Sequence, residues 1–258
     1  MNDFLTNTLP PVIIVGGLVL GAIAESVAPL RPRTRSRTRH AAVNAAIGIP
    51  MLIAAAASGA ALAAAGKAVD GHHVGVLRWA GAPAWLAIVV GFLAYDFASY
   101  TYHRASHHVP VLWRLHRVHH TDDDVDVTTA LRNHPLEFVP MTAFVVAAVL
   151  IVGINELTIE LATPFVLATQ VFSHIRTPLP RFVERALEWI TATPAIHRTH
   201  HSPRVEETNS NYAGILIAWD RLLGTYKPAA PDRPTGLDID NLAAHQTLRA
   251  VLLEPAYS

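Results

Sequence analysis

The 258-residue chain contains no cysteine. That absence excludes a disulfide framework, thiolate zinc sites, Cys-ligated iron–sulfur clusters and a cysteine nucleophile. Charge is also scarce. Asp, Glu, Lys and Arg make up 16% of the residues, against about 25% in an ordinary soluble domain. Neither sign is in surplus, with 20 Lys+Arg against 20 Asp+Glu, so there is no basic footprint and no nucleic-acid partner is expected. Apolar residues reach 51%, which excludes a disordered chain and points to a bilayer. What is abundant is histidine. There are 15, and most fall in three clusters.

Five apolar stretches organise the chain: Pro11–Leu30, Ala41–Gly66, Pro83–Tyr102, Phe138–Gly153 and Leu157–Phe172. A membrane span needs about 20 apolar residues, and the first three have that length. The last two are shorter and read as a tight helical hairpin that barely crosses or only dips. A buried soluble bundle is the alternative. Arg31, Arg33, Arg35, Arg37 and Arg39 lie between the first two spans and read as a positive-inside anchor facing the cytoplasm. Both ends of the hairpin and everything after Phe172 then face the cytoplasm too. The first apolar run has no basic residue before it, so it reads as an uncleaved helix. Glu25 reads as a snorkelling charge at a span end. The Pro-rich stretch Lys227–Pro234 reads as a loop, and the residues after it as a short polar, peripheral helix.

The histidines carry the chemistry. The clusters are HRASHH at 103–108, HRVHH at 116–120 and HRTHH at 197–201. At about 100° per residue, His103 and His107 share a helix face. His116, His119 and His120 fall within about 100° of arc, as do His197, His200 and His201. Neutral imidazole suits zinc, copper, iron and nickel. Eight such nitrogens are too many for one tetrahedral zinc and match two metals with open positions. His108 is turned away from this face. His40, His72, His73 and His245 read as ordinary surface or core residues.

His134 and His174 stand alone beside the hairpin, each either a further ligand or a hydrogen-bond partner of one. Asp96 lies on the His103 face and reads either as an acceptor for a ligand histidine or as a partner of a nearby arginine. Asp122, Asp123, Asp124 and Asp126 read as a solvated charge run rather than as ligands. Asn211, Tyr212, Trp219 and Asp220 read as packing near the site.

The sequence HRASH, HRVHH, RNHPLE (132–137), FSH (172–174), HRTHH and NYAGILIAWDRLLGT (211–225) resembles the fatty acid hydroxylase superfamily, also called the sterol desaturase family, in order and spacing. The resemblance runs from about Asp96 to Tyr226. It implies a membrane-embedded non-haem diiron oxygenase that uses O2 and two electrons to hydroxylate an unactivated C–H bond of a lipid-like substrate (sterol, fatty acyl, alkylglycerol or carotenoid). It also implies that His103, His107, His116, His119, His120, His197, His200 and His201 hold two iron ions, with His134 and His174 completing or supporting the site. The electron donor is expected to be a separate protein (a ferredoxin, a cytochrome b5-like protein or a reductase), since no redox module is legible in the chain.

The expected fold is an all-α integral membrane protein. It has about four to five embedded helices and a cytoplasmic His-rich helical cap holding the diiron site. The chain reads as one domain, 1–258, divided into membrane helices with a basic loop (1–82), the histidine region (83–226) and a tail (227–258). A bacterial inner membrane is the expected location. A desaturase on the same site, a metal-binding membrane transporter or sensor, and a catalytically dead relative are the alternatives. A transporter would place ligands at mid-depth along several spans, whereas these histidines gather at span ends.

Overall fold

The computed structural model describes residue 4 and residues 8–253, except 34, 231, 240, 241 and 243–245. His245 therefore lies outside the described residues. The described elements are all helical: α1 (Leu9–Val27), α2 (Arg37–His72), α3 (Val76–Trp79), α4 (Ala84–His108), α5 (Pro110–His120), α6 (Phe138–Val152), α7 (Glu156–Ser173), α8 (Arg181–Leu187), α9 (Pro194–His200), α10 (Val205–Thr208), α11 (Ala218–Leu222) and α12 (Leu248–Leu253). Two 3-10 turns, Val127–Leu131 and Pro135–Glu137, lie between α5 and α6.

Among the described residues, four stretches are long and apolar enough to cross a membrane: Leu9–Val27, Arg37–Trp79, Ala84–His108 and Pro135–Val152. The protein is an integral membrane protein. The expected hairpin is present as α6 and α7, but only its first arm is among the four. Glu156, Glu160 and Gln170 dilute the second. Instead of dipping alone, α7 packs against α1, α2 and α4, and α6 against α2 and α4. Their shared core holds Leu62, Val69, Tyr95, Val145, Val149 and Ile159. The α6–α7 turn fits closely against the turn after α2. A Cβ on Gly75 would lie 2.2 Å from the Gly153 nitrogen, and both glycines have positive φ, so a side chain at either is excluded.

Three expectations about charge are corrected here. The aspartates after α5 are not a solvated run, because Asp122, Asp124 and Asp126 are all buried. Arg33 pairs with Asp126 at 2.6 Å and with Glu25 at 2.9 Å, and Arg35 pairs with Asp123 at 2.5 Å. Arg176 pairs with Asp124. His40 Nε2 donates to Asp122 at 2.8 Å, so this histidine is a buried partner of the acidic loop. Glu25 does not snorkel. It is buried and accepts the backbone N–H of Val127 at 2.7 Å and of Arg176 at 3.0 Å. The arginine-rich linker is thus a latch on the acidic loop as well as a flanking charge. The tail is not merely peripheral either, since Val251 packs with Ile47 and Val118, and Gln246 donates to the Thr121 carbonyl at 2.5 Å.

Candidate metal centre

The site begins at the C-terminal end of α4. Its helix continues unbroken through His103 and His107 and stops at Val109, before Pro110. A residue preceding proline is biased away from helix, and proline is well placed in a first helical turn. α5 therefore restarts at Pro110 in a new direction and folds His116 and His120 back onto His103 and His107. α9 starts in the same manner, with Pro194 in its first turn and the Thr193 hydroxyl capping the Ile196 N–H at 3.3 Å. Its roughly two turns deliver His197 and His200, with His201 at the C-cap.

Among the described residues, nine imidazoles meet. One group is His103, His107, His116, His120 and His200. The other is His119, His174, His197 and His201. In each, one nitrogen per residue lies within 4.8 Å of the others. The groups adjoin, with the rings of His120 and His201 stacked at 4.5 Å. His174 is the ninth member. His134 stands outside both groups, and its Nδ1 accepts the Leu136 N–H at 3.2 Å. His108 is also outside, 3.1 Å from the Tyr212 hydroxyl.

Hydrogen bonds set the tautomers. Nδ1–H donates to the Tyr212 carbonyl from His103 at 2.9 Å, to the Gln170 carbonyl from His174 at 2.6 Å and to the Ser210 carbonyl from His200 at 2.6 Å. His119 makes a longer bond to the Arg132 carbonyl, 3.3 Å. His116 Nδ1 donates to the Glu137 carboxylate at 2.7 Å. In each of these rings Nε2 is left as a lone pair.

The lone pairs then face one another. His103 and His116 bring Nε2 atoms to 3.1 Å, and His119 and His174 to 3.0 Å. With both Nδ1 atoms protonated, neither pair can hydrogen bond. Nitrogens about 2.1 Å from one ion and about 90° apart lie about 3.0 Å from each other, so a shared cation resolves the contact. Further donors are waiting: both ring nitrogens of His107 and of His120, and Nε2 of His200, are buried without a hydrogen-bond partner. The donor set therefore fits metal ions. Burial, then the neighbouring imidazoles, hold His119, His120, His197 and His201 well below the ordinary histidine pKa. Burial pushes His200 down to about 3 and His174 to about 4. These six rings are held in the neutral form that a metal binds.

The motif residues after α9 fasten this cradle. Asp96 does not accept from a histidine or pair with an arginine. It takes the N–H groups of Ile215 and Leu216 at 3.0 and 3.1 Å and the Trp219 indole at 2.8 Å. Asp220 accepts from the Tyr212 and Ala213 N–H groups at 2.9 and 2.8 Å and from the Thr225 hydroxyl at 2.7 Å. Asn211, at φ 54, donates to the Ile196 and Lys227 carbonyls at 3.3 and 3.1 Å. The segment is a clip that presents the Ser210 and Tyr212 carbonyls to His200 and His103. Glu137 was visible in RNHPLE but given no role from sequence. A carboxylate flanking a histidine cluster is the signal that finds it.

The fatty acid hydroxylase family matches residues 88–225, which take in all nine of these histidines and the clip. The chain belongs to this family. Among curated relatives, it is 35% identical over 144 residues to an alkylglycerol monooxygenase of Xenopus tropicalis, covering 53% of this chain and 30% of that protein. It is 32% identical over 158 residues to the human alkylglycerol monooxygenase, covering 58% and 32%. It is 32% identical over 161 residues to the ornithine lipid hydroxylase OlsE of Rhizobium tropici, covering 61% and 46%. The chain thus spans about a third of the alkylglycerol monooxygenases and about half of the ornithine lipid hydroxylase. No solved structure matches it. Within the fatty acid hydroxylase fold as it stands here, the histidine motifs form the two imidazole groups and the NY…WDRLLGT motif forms the clip.

Proposed function

We propose that this fatty acid hydroxylase family member is a membrane-bound oxidoreductase that hydroxylates an unactivated C–H bond of a lipid-like substrate at a diiron centre. The facing Nε2 lone pairs in two adjoining imidazole groups carry the reading, because they call for two cations a short distance apart. The relatives' names, each a monooxygenase or hydroxylase of a lipid, support the reaction class. His103, His107, His116, His120 and His200 would hold one iron, and His119, His174, His197 and His201 the other. Bound iron would supply activation of O2 and oxidation of the C–H bond, with two electrons from a separate electron-transfer protein. The chain's own residues do the rest. Glu137 and the carbonyls of Tyr212, Gln170, Arg132 and Ser210 keep each proton on Nδ1 and each Nε2 aimed inward. Burial of the rings keeps water from the donors.

The purified protein should contain about two irons per chain. His119→Ala and His200→Ala should each lose metal, and also the one-oxygen mass gain that expression adds to host lipids. Elemental analysis showing zinc and no iron would overturn the diiron centre. The arginine linker supports a cytoplasmic histidine end, and a bacterial inner membrane is the location this reading takes. Reporter fusions after His120 and after His201 should both read cytoplasmic. Opposite readings would mean that the two groups cannot share one face of the membrane.

A further inference from the structure

A cavity of about 260 Å³ lies between α8 and α9 and borders the second imidazole group through Ile175 and Arg198, the chain neighbours of His174 and His197. Its wall is apolar at Leu30, Ile175 and Leu179 and carries three arginines, Arg181, Arg185 and Arg198, against one carboxylate, Glu184. Glu184 is already engaged by the Thr193 hydroxyl. Arg198 is the unusual one. It is 2% exposed, yet its Nη1 is buried with no hydrogen-bond partner, and Nη2 has only a 3.4 Å contact to the Val125 carbonyl. The nearest charges include Arg31 and Arg176, which repel it. Asp124 and Glu25, the carboxylates that could balance it, already pair with Arg176 and Arg33.

A guanidinium stays charged and brings five donors. Buried charges are normally paired, since an unpaired one loses its hydration with nothing to replace it. The arrangement therefore lacks an anion. The planar fork of arginine suits the oxygens of phosphate or carboxylate. The surroundings point to where such a group comes from. α8 sets Arg181 and Arg185 beside the exposed Phe182, with exposed Trp189 and Ile190 just beyond it. Basic and aromatic side chains together suit a bilayer surface.

We propose that this cavity binds the phosphate or carboxylate of an anionic lipid headgroup, with Arg198 as its buried anchor and Arg181 and Arg185 at its rim. That this lipid is also the substrate rests on the oxidase reading above; the binding does not.

The test uses the purified full chain in zwitterionic detergent. Short-chain phosphatidylglycerol, short-chain phosphatidylcholine and inorganic phosphate are titrated while the thermal unfolding midpoint is followed, since a ligand of the native state raises it. Phosphatidylglycerol should raise the midpoint saturably and phosphatidylcholine should not. Arg198→Gln should weaken the response by about tenfold or more, the scale of a lost charge-assisted hydrogen bond. The double variant Arg181→Gln/Arg185→Gln changes exposed positions only and should weaken it too, which keeps the test open if Arg198→Gln does not fold. A matching response to inorganic phosphate supports the anion site with a free anion as its source, and a response to the lipid alone supports the headgroup. No response to phosphatidylglycerol, or an equal one in both variants, overturns the proposal. Iron is measured on the same samples. Normal iron without an anion response sinks only this inference, and an anion response without iron sinks only the diiron reading.

Discussion

His116 differs from the other anchored imidazoles in leaning on a carboxylate, Glu137, and not on a backbone carbonyl. A carboxylate partner fixes the tautomer and orientation of the ring. Glu137→Ala should weaken metal retention about 10- to 100-fold, read by competition with a chelator. Glu137→Gln keeps an acceptor at that place and should be milder. At this scale much was legible. Eight of the nine grouped histidines follow from i, i+3 and i+4 spacing within three runs. His174 has no repeat to announce it, so its place in the second group depends on the end of α7 meeting α9. The carbonyl acceptors leave no mark in sequence, because every residue carries one.

Elements fix what residues cannot. The 211–226 segment contains little regular structure, yet Asp96 and Asp220 give it six accepted hydrogen bonds. Asp96→Ala would strand three donors, one buried and two partly buried. It should destabilise the protein by roughly 3 kcal/mol and loosen His103 and His200 through the shifted carbonyls of Tyr212 and Ser210. Thermal unfolding in detergent and iron content check both effects. The helical phase puts Asp96 near the His103 face, but phase cannot say which partner arrives there. That partner comes from more than 100 residues downstream. The α4–α5 corner was more accessible, since the Val109-Pro110 step marks it in the sequence.

At the scale of the whole molecule, the acidic loop ties the N-terminal helices to the histidine region. Burial alone would raise the Asp126 carboxyl, but His40, in hydrogen bond and charge, and the Thr128 hydroxyl hold it at about 2. A carboxylate depressed below its unfolded value of about 3.9 stabilises the fold above that pH. The contribution fades as pH falls toward about 2. Unfolding midpoints measured from about pH 5 downward should drop, and Asp126→Asn should flatten the slope. This latch was hidden from sequence because a run of aspartates and a run of arginines each look solvated when read alone. Arg33, Arg35 and His40 lie outside the family-matched residues 88–225, so that segment by itself would leave buried carboxylates without their partners.

The unbroken course of α4 has a mechanical meaning. Trp85 sits near one end of the rod and His103 lies 18 residues on, about 27 Å at 1.5 Å per residue, close to the thickness of a hydrocarbon core. The rod is a depth gauge. On the proposed lipid-hydroxylase reading it would hold the imidazoles level with one boundary of the oil, and one extra helical turn would lift them about 5.4 Å out of register with it.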